Sequence, residues 1–444
     1  MKIILPVHHF PPRYNAGAEL YTFRLARWLQ QHGHDPEVVC VEAIDQSDSG
    51  ALQVATDTYE GIPVWRLSFD LINAAQRQLW NYDNTLIGEW FAEYLQRVQP
   101  DIVHFQAGYL LGIAPLKATV AAGISTALTL HDYWFLCPRV TLLRGDGSLC
   151  EQIPDDPSGC AWCMRLANRR YRIPDQLTHG FIGRTAQQFV LGSERSIIAD
   201  RRMRLLPALS MPDAVIAPSH FLAERFRPYV KGERLHISRY GLDLSQFNQQ
   251  RRAAPDGVMR IGYIGQIAAH KGVHLAIEAF RQLRTRQQIE LHIYGGLTTY
   301  PDYVQRLQQL AGNDSRIRFH GRFENSQVAD LLKRLDVTVV PSVWYENSPL
   351  AIMESHAAGT PVITSKLGGM AELVRHEVDG LHFKPDDAPN LAQQLQRLVD
   401  NPTLLRKLQA QVQMPRGIDD EMRQLMDIYQ QIGKKQATKL REVA

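Results

Sequence analysis

Val343-Trp344-Tyr345-Glu346-Asn347-Ser348-Pro349-Leu350-Ala351-Ile352-Met353-Glu354 is a loop that turns into a helix, with a carboxylate in each part. Before it, Val337 to Val340 is a short β-branched run that reads as a buried strand, and Pro341-Ser342 ends it. Ser348-Pro349 reads as an N-cap followed by proline at the first helical position. Leu350 to Ala358 continues as an apolar-rich helix, which Gly359 and Pro361 stop. Glu346 therefore lies at a strand's carboxyl end, and Glu354 lies well into the helix. From the start of the helix to Glu354 is roughly 7–8 Å at the rise of an α-helix, about the span from a ribose to the far phosphate of a nucleoside diphosphate. The helix N-terminus between them offers free N–H groups to an anion. The plainer reading is of two exposed glutamates flanking a capped helix, and spacing alone does not choose between the two.

The rest of the chain narrows the choice. A chain of 444 residues has room for two or three domains, each with its own core. A formal charge of +3 is too small to argue for nucleic acid. Lys2 to Val7 reads as a first strand rather than a secretory leader. No apolar run approaches the roughly 18 residues of a membrane span. A cytoplasmic chain is the simplest inference, and five cysteines do not make a secreted disulfide scaffold of it.

In the first half, Ile3 to Val7 is a strand, and Gly17-Ala18-Glu19 opens a helix that Gly33 ends. Pro36 to Val41 is the next strand, so the chain starts as β-loop-α-β. Ligands of open α/β sheets bind beyond the carboxyl ends of strands, which puts Gly17 where a backbone can approach a diphosphate. Pro100 to Phe105 and Ser125 to Leu130 are further strands, and His131-Asp132 fall at the carboxyl end of the second. A His beside an Asp is commonly a hydrogen-bonded structural pair, but this one sits on the ligand edge. His8, His9 and His104 lie at other strand ends and read mainly as scaffold.

After His131 the alternation breaks. Cys137, Cys150, Cys160 and Cys163 are spaced C-x12-C-x9-C-x2-C in an insert spanning 137–163. A Cys-x2-Cys knuckle with two more thiols suits tetrahedral structural zinc; two disulfides or unlinked thiols are the alternatives. The segment 165–204 then carries nine arginines against three acids, with apolar residues interleaved. It reads either as a solvated helical face or as a surface for an anionic membrane or lipid diphosphate.

In the second half, Met259 to Ile264 is a strand, followed by a turn from Gly265-Gln266 to Lys271-Gly272 and a helix. Lys271 thus sits at an anion-binding helix start. Ile289 to Tyr294 ends in Gly295-Gly296, and Ile317 to His320 ends in Gly321-Arg322-Phe323. Asp419 to Ile432 is a final amphipathic helix, with a frayed tail from Lys434. Gln249 to Gly257 is the linker between the halves.

Glu346-x7-Glu354 resembles the paired-glutamate motif of retaining GT-B glycosyltransferases, in particular the large GT4 family. Ala358-Gly359-Thr360-Pro361-Val362-Ile363, Gly368-Gly369 and Glu372 resemble the same family. The likeness spans most of the chain and is strongest from Met259 to Phe383. It implies an α/β protein of GT-B type, two Rossmann-like domains facing across a cleft. These are an acceptor-side domain over 1–248, a nucleotide-sugar domain over 258–412, and a segment 413–444 packing back onto the first.

The same likeness implies transfer of a sugar from a nucleotide-sugar of UDP or GDP type to a saccharide or lipid-linked acceptor. Cell-surface polysaccharide or glycolipid assembly is the implied setting, peripheral at the inner face of the membrane. Glu354 then holds the ribose, Glu346 positions the donor sugar, and Lys271 with the helix start at Ser348 and Leu350 stabilises the departing diphosphate. His131 faces the sugar from the other domain. Gly17, Gly265 and Gly295 lie in the phosphate loops, and Gly321, Arg322 and Phe323 line the base pocket. Ala16 and Gln266 depart from the pattern. The first stands in a usual glycine pair, the second where an arginine is usual, so one charge on the leaving group is missing. The implied chemistry needs no catalytic metal, leaving zinc at the cysteines as a structural question. A nucleotide-sugar epimerase and a non-catalytic nucleotide-sugar-binding scaffold are the other readings.

Overall fold

The structure is a computed structural model and describes residues 1–14, 17–45, 51–189, 192–247 and 257–443, without the side chains of 188, 189 and 435–443. Ala16 and nearly all of the expected linker lie outside the described residues. The chain divides into two compact units. One comprises Met1–Pro218, Leu222–Ser238 and Met422–Ala444; the other comprises Ser219–Phe221 and Arg239–Glu421.

The first unit is built on one sheet. Its strands are β1 (Lys2–Val7), β2 (Asp35–Ala43), β3 (Gln53–Tyr59), β4 (Ile62–Ser68), β5 (Ile102–Phe105), β6 (Ser125–Thr129), β7 (Ala214–Ala217) and β8 (Leu235–Ile237). The order is β3-β4-β2-β1-β5-β6-β7-β8. Every pairing is parallel except β3 with β4. The inner strands are almost wholly buried and mostly apolar, with the buried polar exceptions His104 on β5 and Ser125, Thr126 and Thr129 on β6. The edge strand β3 is polar and mostly exposed, which suits an edge and hides it from apolar periodicity.

The second unit has strands β9 (Met259–Ile264), β10 (Ile289–Tyr294), β11 (Ile317–Gly321), β12 (Val337–Val340), β13 (Val362–Ser365) and β14 (Gly380–Phe383). They pair in the order β11-β10-β9-β12-β13-β14, all parallel. One core cluster joins sheet and helix residues, among them Ile261, Phe280, Ile293, Val339 and Leu391, and another gathers Ile264, Tyr294, Val328 and Leu332. In each unit the chain order reverses at one place, between β1 and β5 and between β9 and β12. Such switch points open a crevice at the strands' carboxyl ends.

The last helix, Ile418–Val443, runs past Lys434, where a frayed tail was expected. Tyr429 on it is buried, and its Oη lies 2.6 Å from His104 Nδ1, whose Nε2 lies 2.7 Å from Thr129 Oγ1. Burial pulls the His104 imidazole down from 6.5 to about 3. A base held neutral in this way contributes stability above its unfolded pKa, and that contribution is lost as pH falls from there toward the folded value. The loss from His104 should run at roughly 1.4 kcal/mol per pH unit. His104→Gln is therefore expected to soften the acid slope of the melting temperature below pH 6.5. An unchanged slope would remove His104 from the account.

Candidate active site

The reversal of strand order in the second unit places the loops after β9 and β12 side by side. Gly272 makes the approach possible. Its φ is +70°, and a Cβ there would lie 1.9 Å from the carbonyl oxygen of Pro341. The Val343 N–H donates to the His270 carbonyl at 3.0 Å and ties the two loops. Lys271 Nζ consequently meets Glu346 Oε1 at 2.6 Å.

Ser342 Oγ and Trp344 Nε1 donate to that same oxygen at 2.8 and 2.9 Å, so Oε2 takes none of the three. Burial alone would push the Glu346 carboxyl up. The Lys271 ammonium and the two neutral donors outweigh burial and hold it below the ordinary carboxylate range. Lys271 also lies 5.2 Å from the Trp344 ring centroid. An ammonium has three N–H donors, and this one gives a single hydrogen bond to Glu346, leaving donors for an anion's oxygens.

The helix that follows is Leu350–Ala357, capped by Pro349 with φ −67° and ψ 122°. This corrects the expected cap at Ser348. Proline's fixed φ serves at an N-cap as well as at the first helical position, so the helix starts one residue later. The Ser348 hydroxyl is left buried without a hydrogen-bond partner. Proline has no N–H, so the free donors of this end belong to Leu350 and the residues after it. Glu354 is half-buried on the helix.

The turns after β9, β10 and β11 are contiguous. The Gly265 N–H donates to the Tyr294 carbonyl at 3.1 Å, and the Gly295 N–H to the Gly321 carbonyl at 2.9 Å. A Cβ on Gly295 would lie 2.1 Å from the Gly265 oxygen, so only glycine lets these turns meet. Gln266 is exposed, and its carbonyl accepts from Tyr263 Oη at 2.6 Å. Arg322 is exposed. Phe323 packs edge-on against Tyr294, in a cluster with Ile264, Val328 and Leu332. Gly265, Gln266, Lys271, Gly295, Gly321, Arg322, Phe323, Glu346, Ser348, Leu350 and Glu354 thus share one sheet edge in one unit.

Gly17 and His131 belong to the other unit. Gly17 opens the helix Gly17–Gln31, and a Cβ there would meet open space, so packing gives no reason for glycine. His131 Nε2 lies 3.1 Å from Gln106 Oε1, whose amide nitrogen donates to the His104 carbonyl. That orientation of the amide puts the proton of His131 on Nε2. Burial pulls His131 down to about 3. Asp132 accepts from the Trp134 N–H at 2.7 Å, which turns its carboxylate into the next turn.

Four residues of these two sites carry no motif that could have announced them. Gln106 directly follows β5, Glu19 lies 3.2 Å from His8 Nε2, and Ser342 and Trp344 hold Glu346. Only their distance in sequence from a strand end was legible.

The cysteine insert is not a plain loop. Cys160 and Cys163 stand one turn apart on the helix Pro157–Arg165, which Asp156 caps. All five cysteines of the chain are free thiols.

Comparison with known proteins gives two matching family models. Glycosyltransferase Family 4 matches residues 15–246 and Glycosyl transferases group 1 matches residues 245–413. Glycogen synthase of Mycobacterium tuberculosis is 30% identical over 171 residues, 38% of this chain and 41% of that protein. The amylovoran biosynthesis glycosyltransferase AmsK of Erwinia amylovora is 30% identical over 175 residues, 37% and 42% of the respective chains. The chain thus spans about two fifths of the length of these curated relatives. Among solved structures, Anabaena HepE in complex with UDP and glucose superposes with a TM-score of 0.63 at 17% identity. That superposition covers 96% of this chain and 98% of the other, and it identifies the fold as GT-B. Matched by one family model over more than half of its length and by a second over most of the remainder, the chain belongs to glycosyltransferase family 4.

Proposed function

We propose that the chain transfers a sugar from a nucleotide-sugar to an acceptor hydroxyl with retention of anomeric configuration. The observation that carries this reading is the Lys271–Glu346 pair at the switch point between β9 and β12. It joins a fixed cation and a fixed carboxylate to the free end of the Leu350–Ala357 helix. In this reading the nucleotide base lies against Gly321, Arg322 and Phe323, and Glu354 accepts from the ribose hydroxyls. The diphosphate lies along the Gly265–Gly295 turns. Glu346 Oε2 takes a hydroxyl of the donor sugar, while Oε1 stays with Lys271, Ser342 and Trp344.

As the bond between the anomeric carbon and the diphosphate oxygen breaks, negative charge grows on the phosphate. Lys271 and the N–H groups from Leu350 onward are already aimed where that charge appears. The acceptor oxygen bonds to the anomeric carbon on the face the phosphate leaves, and its proton passes to a phosphate oxygen. No carboxylate acts as a covalent nucleophile, unlike the two-carboxylate hydrolases. Neutral Gln266 adds no charge, so Lys271 carries more of the stabilisation. His131 stays neutral at any pH near 7 and serves as a hydrogen-bond partner for a substrate hydroxyl.

HepE's complex with UDP supports a uridine donor. The likeness to glycogen synthase supports a saccharide acceptor. Exposed Ile173, Leu177 and Phe181 within the arginine-rich segment support a lipid-linked acceptor and a peripheral place on a membrane. No helix among the described residues is long and apolar enough to cross one.

A thermal-shift panel of UDP, GDP, ADP and their sugar conjugates on wild type and Glu354→Ala tests the reading. At a hundredfold excess over Kd a bound ligand stabilises by about 2.7 kcal/mol. One nucleotide is expected to raise the melting temperature of wild type and to leave Glu354→Ala near its own baseline. If no nucleotide shifts wild type, the donor site is wrong.

A further inference from the structure

We infer that Cys137, Cys150, Cys160 and Cys163 form a tetrathiolate site for one zinc ion, a structural clamp within the segment that follows β6. The inference does not depend on the proposed glycosyl transfer.

Three pieces of chain bring the four cysteines to the wall of one cavity. Cys137 closes a turn, its N–H donating to the Tyr133 carbonyl at 2.7 Å. Cys150 ends a hairpin in which Leu143 bridges Leu149, and its N–H donates to the Leu142 carbonyl at 2.8 Å. Cys160 and Cys163 face the same side of the Pro157–Arg165 helix. All four line one cavity of about 20 Å³, room for a single water or ion.

Burial favours the neutral thiols, but several groups around the cavity oppose it. The backbone N–H groups of Arg139 and Leu142 point at the Cys137 sulfur, and that of Gly145 points at Cys163. Arg202 Nη2 lies 3.1 Å from Cys160 Sγ. Donors aimed at sulfur stabilise its anionic form, and such outer contacts are what orient the ligands of a metal site. Four thiolates around a divalent ion carry two negative charges in excess, and the arginines 139, 144, 201 and 202 act on these sulfurs electrostatically.

The segment also needs a clamp. Its own core is small: Cys160, Ala161, Trp162, Leu166, Ala186 and Ile198, with Ile153 and Tyr171 packed against it. Helical segments with so little buried surface are held by metals or disulfides elsewhere among small folds. Val140 at φ +69° and Leu142 at φ +53° add backbone strain between the first two cysteines.

As the side chains stand, no three His, Cys, Asp or Glu among the described residues are arranged to hold an ion. Cys150 Sγ instead donates to the Gln152 carbonyl at 3.4 Å. Ion binding therefore turns Cys150 inward and draws the sulfurs to Zn–S bonds of about 2.3 Å. Each thiol gives up its proton on ligating the ion, so affinity should fall as pH is lowered.

The test uses the full chain, purified without chelator. Zinc is measured by elemental analysis, reactive thiols are counted after denaturation, and Co2+ is substituted for its thiolate charge-transfer absorption. Wild type and Cys40→Ala are expected to hold about one zinc, and Cys160→Ser and Cys163→Ser less than about a tenth of that. Cys40 lies buried in β2, apart from the set. If the serine variants fail to fold, the cobalt spectrum of wild type decides: a tetrathiolate absorption supports the site, and its absence overturns it. Metal-free wild type with every thiol reactive overturns it too, as do two disulfides by mass, an iron chromophore, or zinc kept by both serine variants. None of these readouts uses sugar transfer, so this result and the nucleotide panel stand apart.

Discussion

Lys271→Met should lower turnover by roughly two to three orders of magnitude, the usual loss when one preorganised donor to developing charge is removed. It should also weaken the fold, because Glu346 is buried and Lys271 is its only salt-bridge partner on the Oε1 side. Removing one member of a buried ion pair costs roughly 3–5 kcal/mol when the other stays charged. The cost carries a signature in pH. In wild type the Glu346 carboxyl is held below its ordinary value of 4.5, so its contribution is present above 4.5 and is lost as pH falls through the folded value. Without Lys271, burial is the largest influence left on Glu346, and the folded pKa is expected to rise above the ordinary value. The sign then reverses: the contribution is intact below 4.5 and is lost as pH rises. Melting curves of wild type and variant should lie far apart at pH 7 and converge toward pH 4. Lys271→Met/Glu346→Gln should recover most of the stability and none of the turnover, because Gln carries no buried charge. Wild-type turnover in Lys271→Met would remove this lysine from the mechanism.

Gly272→Ala is expected to do comparable damage by a different route. Alanine at φ +70° costs about 1–2 kcal/mol by itself. A methyl group 1.9 Å from the Pro341 oxygen must also push the loops after β9 and β12 apart. Together these should destabilise the second unit by roughly 3 kcal/mol or more. Turnover should fall with stability, since Lys271 precedes the displaced residue. The pH dependence separates the two variants: Gly272→Ala keeps the ion pair's chemistry and so keeps the wild-type sign. Gly296→Ala is the control, because a Cβ there meets nothing within 4 Å. A Gly272→Ala protein as stable as the Gly296→Ala control would show that the close approach is relaxed in solution.

Much of this was readable in residues whose chemistry is local. The run Val337 to Val340, the glycine turns at 265, 295 and 321, and the lysine at a helix start each announce themselves within a few positions. β3 did not, because an exposed edge strand has no apolar period. The cap of the Leu350–Ala357 helix was misplaced by one residue because proline fits two adjacent positions. Cys160 and Cys163 were read in a loop, since a nine-residue helix beginning at Pro157 is too short to show a repeat against glycine and tryptophan. The partners of Glu346 and His131 were beyond local reading altogether. Lys271 is 75 positions from Glu346, and Gln106 is 25 from His131, so topology alone brings them together.

The bond between His104 and Tyr429 joins residues 325 positions apart. The second unit, apart from three residues, is one continuous stretch, Arg239–Glu421, lying between the two pieces that this bond unites. On a ribosome the first unit is therefore begun first and completed last. Its central histidine waits for a partner until the whole second sheet has emerged and can already have folded. For that interval His104 of β5, bonded to Thr129 of β6, lacks the Tyr429 hydroxyl that meets it in the folded chain.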